Sequence, residues 1–268
     1  MIKINDEVID INHYPDGTLL LNYLYQGSYR YVMDWLYDSD EELVALIYLM
    51  KHIPEYSEKI LNMPYIPNAR MDRVENVFNV FTLKYFSDVI NSLGFDEVHV
   101  LDPHSTVSEA LINNICVESP ETYIYFVMGN IGKEDLTIFY PDAGSLKRYS
   151  GMVQRPYVFG NKVRDWDTGV IKGLDVIGDV GLVKGHDILI VDDICSRGGT
   201  FYHSAKKLKE LGANDIYLYI THCENTILEG ELINSGLVKR IYTTDTIFTK
   251  QHELIEIVAN FRGGNEND

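Results

Sequence analysis

The sequence predicts an α/β protein of two domains, each a mostly parallel sheet flanked by helices. Three observations predict it. Short apolar runs of strand length alternate with segments whose apolar residues recur at helical spacing. Polar motifs repeatedly follow those runs, at the strand ends where open α/β sheets bind ligands. The 268 residues, 46% of them hydrophobic, suffice for two modest cores. The expected boundary falls near residues 115 to 120. That gives domains 1–118 and 119–268, with the last residues expected to return to the first domain.

Residues 1 to 35 read as short strands, with Tyr14-Pro15-Asp16-Gly17-Thr18 as a turn. Acids from Asp38 to Glu42 open a helix through Leu43, Leu46, Ile47 and Met50, where the helix dipole favours them. Leu61 to Ile66 reads as a strand leading into Pro67-Asn68-Ala69-Arg70-Met71-Asp72-Arg73. A helix from about Phe81 to Leu93 stops at Gly94. Glu97 to Leu101 is a strand that enters Asp102-Pro103-His104-Ser105. In the second half, Tyr123 to Met128 and Leu136 to Tyr140 read as strands. The latter enters Pro141-Asp142-Ala143-Gly144, with Lys147 and Arg148 just beyond. Tyr157 to Phe159 precedes a loop, Gly160 to Trp166, that carries Lys162 and Arg164. Further on, Ile216 to Ile220 ends at Thr221-His222, and Arg240 to Thr243 is expected as the last strand, ending at Thr244-Asp245-Thr246.

The run from Asp187 to Phe201, DILIVDDICSRGGTF, organises the rest. Ile188 to Val191 reads as a buried strand, and Phe201, Ala205, Leu208 and Leu211 mark one face of a helix with Gly212 at its end. Between them, Asp192 and Asp193 can hold ribose hydroxyls or, indirectly, a hydrated magnesium ion. Gly198 and Gly199 let the backbone close around a phosphate, and the helix adds its positive end. Ser196 and Thr200 can complete that cage with hydroxyls. The alternative is an ordinary βα turn with an exposed acidic pair.

This stretch resembles the 5-phosphoribosyl 1-pyrophosphate (PRPP) loop of type I phosphoribosyltransferases and PRPP synthetases. The first half separates the two. Met63 to Arg73, MPYIPNARMDR, is similar to the ATP-contacting motif of PRPP synthetases, and Val100 to Ser105 to their metal-binding element. Tyr140 to Arg148 matches their PDAG element, Asn161 to Asp165 stands where they carry a catalytic lysine and arginine, and THCEN and TTDTI echo their later elements. In order and spacing the resemblance covers roughly residues 13 to 250, which points to a short, phage-type member with two phosphoribosyltransferase-like domains. It implies ATP as co-substrate at Arg70, Met71, Asp72 and His104, and Mg2+ at His104 and Asp142. Ribose phosphate would sit at Asp192, Asp193, Ser196, Arg197, Gly198, Gly199 and Thr200, with Lys162 and Arg164 as the catalytic cations of a mobile loop. His104 and Asp142 are expected at neighbouring strand ends. The implied reaction moves the β,γ-diphosphoryl group of ATP to the C1 hydroxyl of a ribose 5-phosphate-type acceptor and releases AMP. A PRPP-consuming phosphoribosyltransferase and a non-catalytic regulator on the same fold are the alternatives.

Two departures from the family pattern bear on the acceptor. Ser196 and Arg197 replace an aspartate and a threonine, and Met71 replaces a glutamine. An arginine at the phosphate end of the loop suits an acceptor whose 5-phosphate continues, such as ADP-ribose in NAD salvage; ribose 5-phosphate is the other reading. The resemblance also implies a homodimer or homohexamer, and the shorter chain an absent allosteric site.

Composition narrows the classes further. A net charge of −17 argues against a nucleic-acid partner. No apolar run approaches the ~18 residues of a membrane span, and MIKINDEVID carries acids rather than a signal region. The three cysteines, widely spaced, form neither a disulfide framework nor a zinc pattern, so a reduced, cytoplasmic protein is expected. There is no GxxxxGK[ST] sequence, so any ATP site is built differently. The tail from Gly263 to Asp268 is expected to fray.

Overall fold

The computed structural model describes residues 1–24, 27–164 and 171–263, of which 162–164 and 171–173 by backbone course alone. The chain divides into two units, Met1–Ser119 and Pro120–Asp268. The first contains β1 (Ile2–Ile4), β2 (Glu7–Ile9), β3 (Ile11–His13), β4 (Leu19–Leu21), β5 (Arg30–Trp35), α1 (Asp40–His52), β6 (Glu58–Asn62), α2 (Thr82–Ser92), β7 (Glu97–Leu101), α3 (Thr106–Leu111) and β8 (Ile115–Glu118). The second contains α4 (Glu121–Ile131), β9 (Thr137–Tyr140), α5 (Ala143–Tyr149), β10 (Tyr157–Arg164), β11 (Ile171–Ile177), β12 (Ile188–Cys195), α6 (Gly199–Glu210), β13 (Ile216–Cys223), α7 (Glu231–Asn234), β14 (Arg240–Thr244) and β15 (Ile255–Ala259).

The first sheet has the order β2-β1-β5-β6-β7-β8. Its last four strands run parallel, and β1 and β2 are antiparallel additions. Alternation decides which face is packed. Tyr31, Met33 and Trp35 of β5 and Val98 and Val100 of β7 join Leu46 and Leu49 of α1 and Leu83, Phe86 and Ile90 of α2 in one core. β3 and β4 pair as a separate hairpin across Tyr14–Thr18, where the Tyr14 N–H donates to the Thr18 carbonyl at 2.9 Å.

The second sheet runs β11-β10-β9-β12-β13-β14-β15, parallel except for the β10–β11 hairpin. Both faces are covered, which is why β12 reads as an unbroken apolar run. Leu189 and Val191 pack in a cluster with Ile124 and Val127 of α4, whereas Ile188 and Ile190 pack with Ala205 and Leu208 of α6. From β9 the chain moves to β10 on one side, then returns to β12 on the other. The strand order therefore reverses between β9 and β12, and the crevice beyond their carboxyl ends is the site such sheets offer to ligands.

Several expectations need correction. Tyr123 to Met128 is helical: the buried residues of α4 are Ile124, Val127, Met128 and Ile131, a helical stripe that a short window of aromatic and β-branched residues disguises. The strand expected at Leu61 to Ile66 starts and ends earlier, because Pro64 has no N–H for the ladder. Asn161 to Arg164 is not loop but the end of β10, paired with β11 from Asn161↔Asp175 to Arg164↔Ile171. Arg240 to Thr244 is not the last strand, since β15 pairs beside it. That pairing places Ile255–Ala259 in the second unit. Asp165 and Trp166, and the tail after Gly263, lie outside the described residues. Among the described residues no helix is long and apolar enough to cross a membrane.

Candidate active site

The crevice in the second unit is lined from β9 and β12. Beyond β12, Ser196 and Arg197 form a bend and Gly198 caps α6 with φ 76°, a left-handed conformation that a side chain would strain. Gly199 and Thr200 then open α6, whose first turn directs N–H groups out of the helix end. The loop is held from behind by Gly230, so close that a Cβ there would lie 1.9 Å from the Arg197 carbonyl oxygen. Arg197 itself points outward, its Nη2 donating to Glu229 Oε2 at 3.1 Å in an exposed pair.

Three carboxylates meet behind this loop. Asp193 is buried, and its Oδ2 lies 2.9 Å from Nη1 of Arg148 on α5. Asp192 is half-buried, and its Oδ1 accepts the Asp193 N–H at 3.1 Å. Burial, then the charges of Asp193 and Asp142, hold the Asp192 carboxyl well above the usual carboxylate range. Asp142 caps α5, its Oδ1 accepting the N–H groups of Gly144 at 3.0 Å and Ser145 at 3.1 Å. This crowding of hard oxygen donors fits a hydrated magnesium ion, which would relieve the repulsion. Beside it, the strand ends of THCEN and TTDTI are tied together: buried His222 Nδ1 lies 2.9 Å from Thr246 Oγ1, and Thr244 Oγ1 donates to the Thr221 carbonyl at 2.6 Å.

In the first unit, the segments after β6 and β7 run together, with the Leu101 N–H donating to the Pro64 carbonyl at 3.0 Å. Asp72 is buried there and takes a two-point contact from Arg73, Nε to Oδ1 at 2.7 Å and Nη2 to Oδ2 at 3.1 Å. That hydrogen bonding, with help from Ser105 and the charge of His104, outweighs burial and holds Asp72 below the usual carboxylate range. Arg70 is exposed and Met71 half-buried. Asp72 and His104, named from the sequence, are thus brought together. His104 and Asp142 are not at the ends of adjacent strands, because β7 and β9 belong to different sheets. The Lys162 and Arg164 backbones lie in β10, next to β9; their side chains fall outside the described residues.

Sequence reasoning assigned no role to Arg148, Arg73 or Gly230. Arg73 was open to a local signal, its adjacency to Asp72. Arg148 meets Asp193 only because β9 and β12 are neighbours, and Gly230 meets Arg197 across 33 residues of chain.

A family profile described as the phosphoribosyl synthetase-associated domain matches residues 167–257. The ribose-phosphate pyrophosphokinase of Pyrococcus abyssi is 30% identical over 253 residues, covering 90% of this chain and 85% of that protein. The chain belongs to the ribose-phosphate pyrophosphokinase family. The ribose-phosphate pyrophosphokinase of Thermococcus kodakarensis is equally similar, 30% over 253 residues, with 90% and 86% covered. The crystal structure of phosphoribosylpyrophosphate synthetase from Mycobacterium smegmatis shares the fold, with TM-score 0.74 over 94% of this chain and 86% of that one at 18% identity. As a ribose-phosphate pyrophosphokinase family member, the chain is an enzyme of two type I phosphoribosyltransferase-like domains.

Proposed function

We propose that this enzyme transfers the β,γ-diphosphoryl group of ATP to the C1 hydroxyl of a ribose 5-phosphate-type acceptor, releasing AMP. The observation that carries this reading is the geometry after β12, where carboxylates at a strand end are followed by a left-handed glycine opening a helix. Asp192 and Asp193 hold the ribose hydroxyls, with Arg148 fixing Asp193, and so position the C1 hydroxyl as nucleophile. Ser196, Gly198, Gly199, Thr200 and the end of α6 take the 5-phosphate. Arg70, Met71, Asp72 and His104 hold ATP. Lys162 and Arg164 place positive charge on the β-phosphate as it moves between oxygens. Mg2+, for which Asp142 beside Asp192 in the second unit and His104 in the first are candidate ligands, would supply charge neutralisation on the phosphates when bound. Incubating purified protein with Mg2+, ATP and ribose 5-phosphate should release AMP, with a product mass that shows diphosphoryl transfer. Failure to release AMP with any sugar phosphate would overturn the proposal.

A second acceptor, ADP-ribose, is favoured by a specific observation. Arg197 stands at the outer rim of the loop, and its partner Glu229 lines a cleft of about 680 Å³ with Tyr202, Lys206 and Asn234. An exposed ion pair of this kind holds weakly and can exchange Glu229 for a second phosphate. Mass analysis of products from each acceptor offered alone separates the two; turnover of ribose 5-phosphate only removes the ADP-ribose reading. The working form is proposed to be a homodimer or homohexamer in the cytoplasm. Supporting this, Val77 and Phe78 on the segment after the Asp72–Arg73 pair are 91% and 90% exposed, an apolar tip suited to a subunit contact. Light scattering in solution tests it, and a monomer would refute it.

A further inference from the structure

The first unit carries a second set of ligand-type side chains that the proposed reaction does not use. β7 and β8 are parallel neighbours, and His99 stands opposite Cys116. Glu97 precedes His99 by two residues, so both leave the sheet on one face, and the register brings Cys116 to that face. The intervening Val98 and Val100 are buried in the core and anchor the strand from behind. A carboxylate oxygen of Glu97, a ring nitrogen of His99 and the thiol of Cys116 all lie within 4.8 Å of one another. His99 Nε2 is already 2.8 Å from Glu97 Oε2. Glu97 opens β7 whereas His104 follows its other end, so this group is separate from the ATP-type residues.

We propose that Glu97, His99 and Cys116 bind a divalent transition ion of the zinc type. Oxygen, imidazole and thiolate together form a borderline-soft donor set that selects such ions over Mg2+ or Ca2+. Metal–ligand bonds of this kind place tetrahedral donor atoms about 3.4–3.6 Å apart. Glu97 and Cys116 are exposed and His99 half-exposed, so small rotamer changes close the set to that spacing without moving either strand. Three protein ligands leave a fourth position for water. The ion takes one ring nitrogen of neutral His99 while the other keeps its proton, Glu97 binds as carboxylate, and the Cys116 thiol releases its proton to solvent. The formal net charge of −17 adds a field that attracts cations.

Titrating the reduced, full-length protein with Co2+ under anaerobic conditions tests this directly. The expected result is a near-ultraviolet thiolate-to-cobalt band that saturates at an equimolar ratio, is displaced by Zn2+ and is unmoved by excess Mg2+. Cys116→Ser should abolish the band, and His99→Ala should weaken cobalt binding by more than about a hundredfold, beyond what the loss of a merely supporting group would cost. Both positions are solvent-facing, so the variants should keep the parent's melting temperature. Cys195 and Cys223 are buried and remain in Cys116→Ser. A band that persists in that variant, no band in the parent, or a His99→Ala titration like the parent's would each overturn the proposal.

Discussion

Arg148 and Asp193 form an ion pair between a helix and the neighbouring strand, Nη1 to Oδ2 at 2.9 Å, with the carboxylate buried. Breaking such a pair from one side leaves a charge without its partner. Arg148→Met is therefore expected to destabilise the fold by about 3 kcal/mol, the low end for buried pairs, because the Arg148 side chain is 22% exposed. Adding Asp193→Asn to that variant should recover part of the loss. Equilibrium denaturation of the two single variants and the double variant measures the coupling; strictly additive losses would show that the pair contributes nothing as a pair.

Gly230 makes a different demand. A Cβ at this position would meet the Arg197 carbonyl oxygen at 1.9 Å, and backbone cannot rotate away as a flexible side chain can. Gly230→Ala should thus displace the loop proposed to receive the 5-phosphate, at about 1–3 kcal/mol of overpacking. The KM for the sugar phosphate should rise while ATP binding stays close to the parent's. Unaltered kinetics and an unaltered melting temperature would mean that the loop accommodates the methyl group.

These residues show which parts of the fold around the candidate site were legible in the sequence. Everything local was: the acidic pair Asp192-Asp193, the glycines Gly198 and Gly199, and the helix stripe Phe201, Ala205 and Leu208 all lie within one strand–loop–helix unit. What depends on sheet order was not. The Arg148–Asp193 pair exists because β9 lies beside β12, and no local periodicity specifies that adjacency. Glycine and polar residues after Tyr157 to Phe159 predict a loop at Lys162 and Arg164, yet pairing with β11 makes that segment strand. Tertiary pairing overrode composition there. In α4 the six residues Tyr123 to Met128 are too short a window to separate a helical stripe from a buried strand.

Lys162 gives the sharpest kinetic expectation. If, as proposed, Lys162 acts on the transferring group, its removal should lower kcat on the order of 10²–10³-fold. ATP affinity should change little, since the effect belongs to the transition state. Single-turnover rates with Lys162→Ala, beside equilibrium ATP binding, check it. A parallel loss of ATP affinity would make Lys162 a ground-state binding residue instead.

The carboxylates at the two motifs should oppose each other in their pH dependence. Asp72 has a lowered pKa, so its contribution to stability is present above the ordinary carboxylate pKa and lost as pH falls further. Asp192 has a raised pKa, so the unfolded chain releases this proton first as pH rises. Its contribution is complete below the unfolded value, about 3.9, and lost as pH climbs through the folded one. Asp192→Asn should consequently be more stable than the parent at neutral pH in chelator, with the difference shrinking toward pH ~4. Added Mg2+ should narrow the same gap by stabilising the parent. Denaturation curves at several pH values provide the test, and a gap that widened on acidification would contradict the assignment.

Arg197 offers the test of the proposed second acceptor. In its present position the guanidinium pairs with exposed Glu229 beside the cleft, outside the cage formed by Gly198, Gly199 and Thr200. An acceptor that ends at its 5-phosphate has no need of it. One that continues into a second phosphate gains a charge-assisted hydrogen bond, roughly 1.5–3 kcal/mol. Arg197→Thr should therefore lower kcat/KM for ADP-ribose by about 10–100-fold and leave ribose 5-phosphate turnover nearly unchanged. Equal losses with both acceptors would place Arg197 at the first phosphate, and the adjoining cleft would then have no part in choosing the substrate.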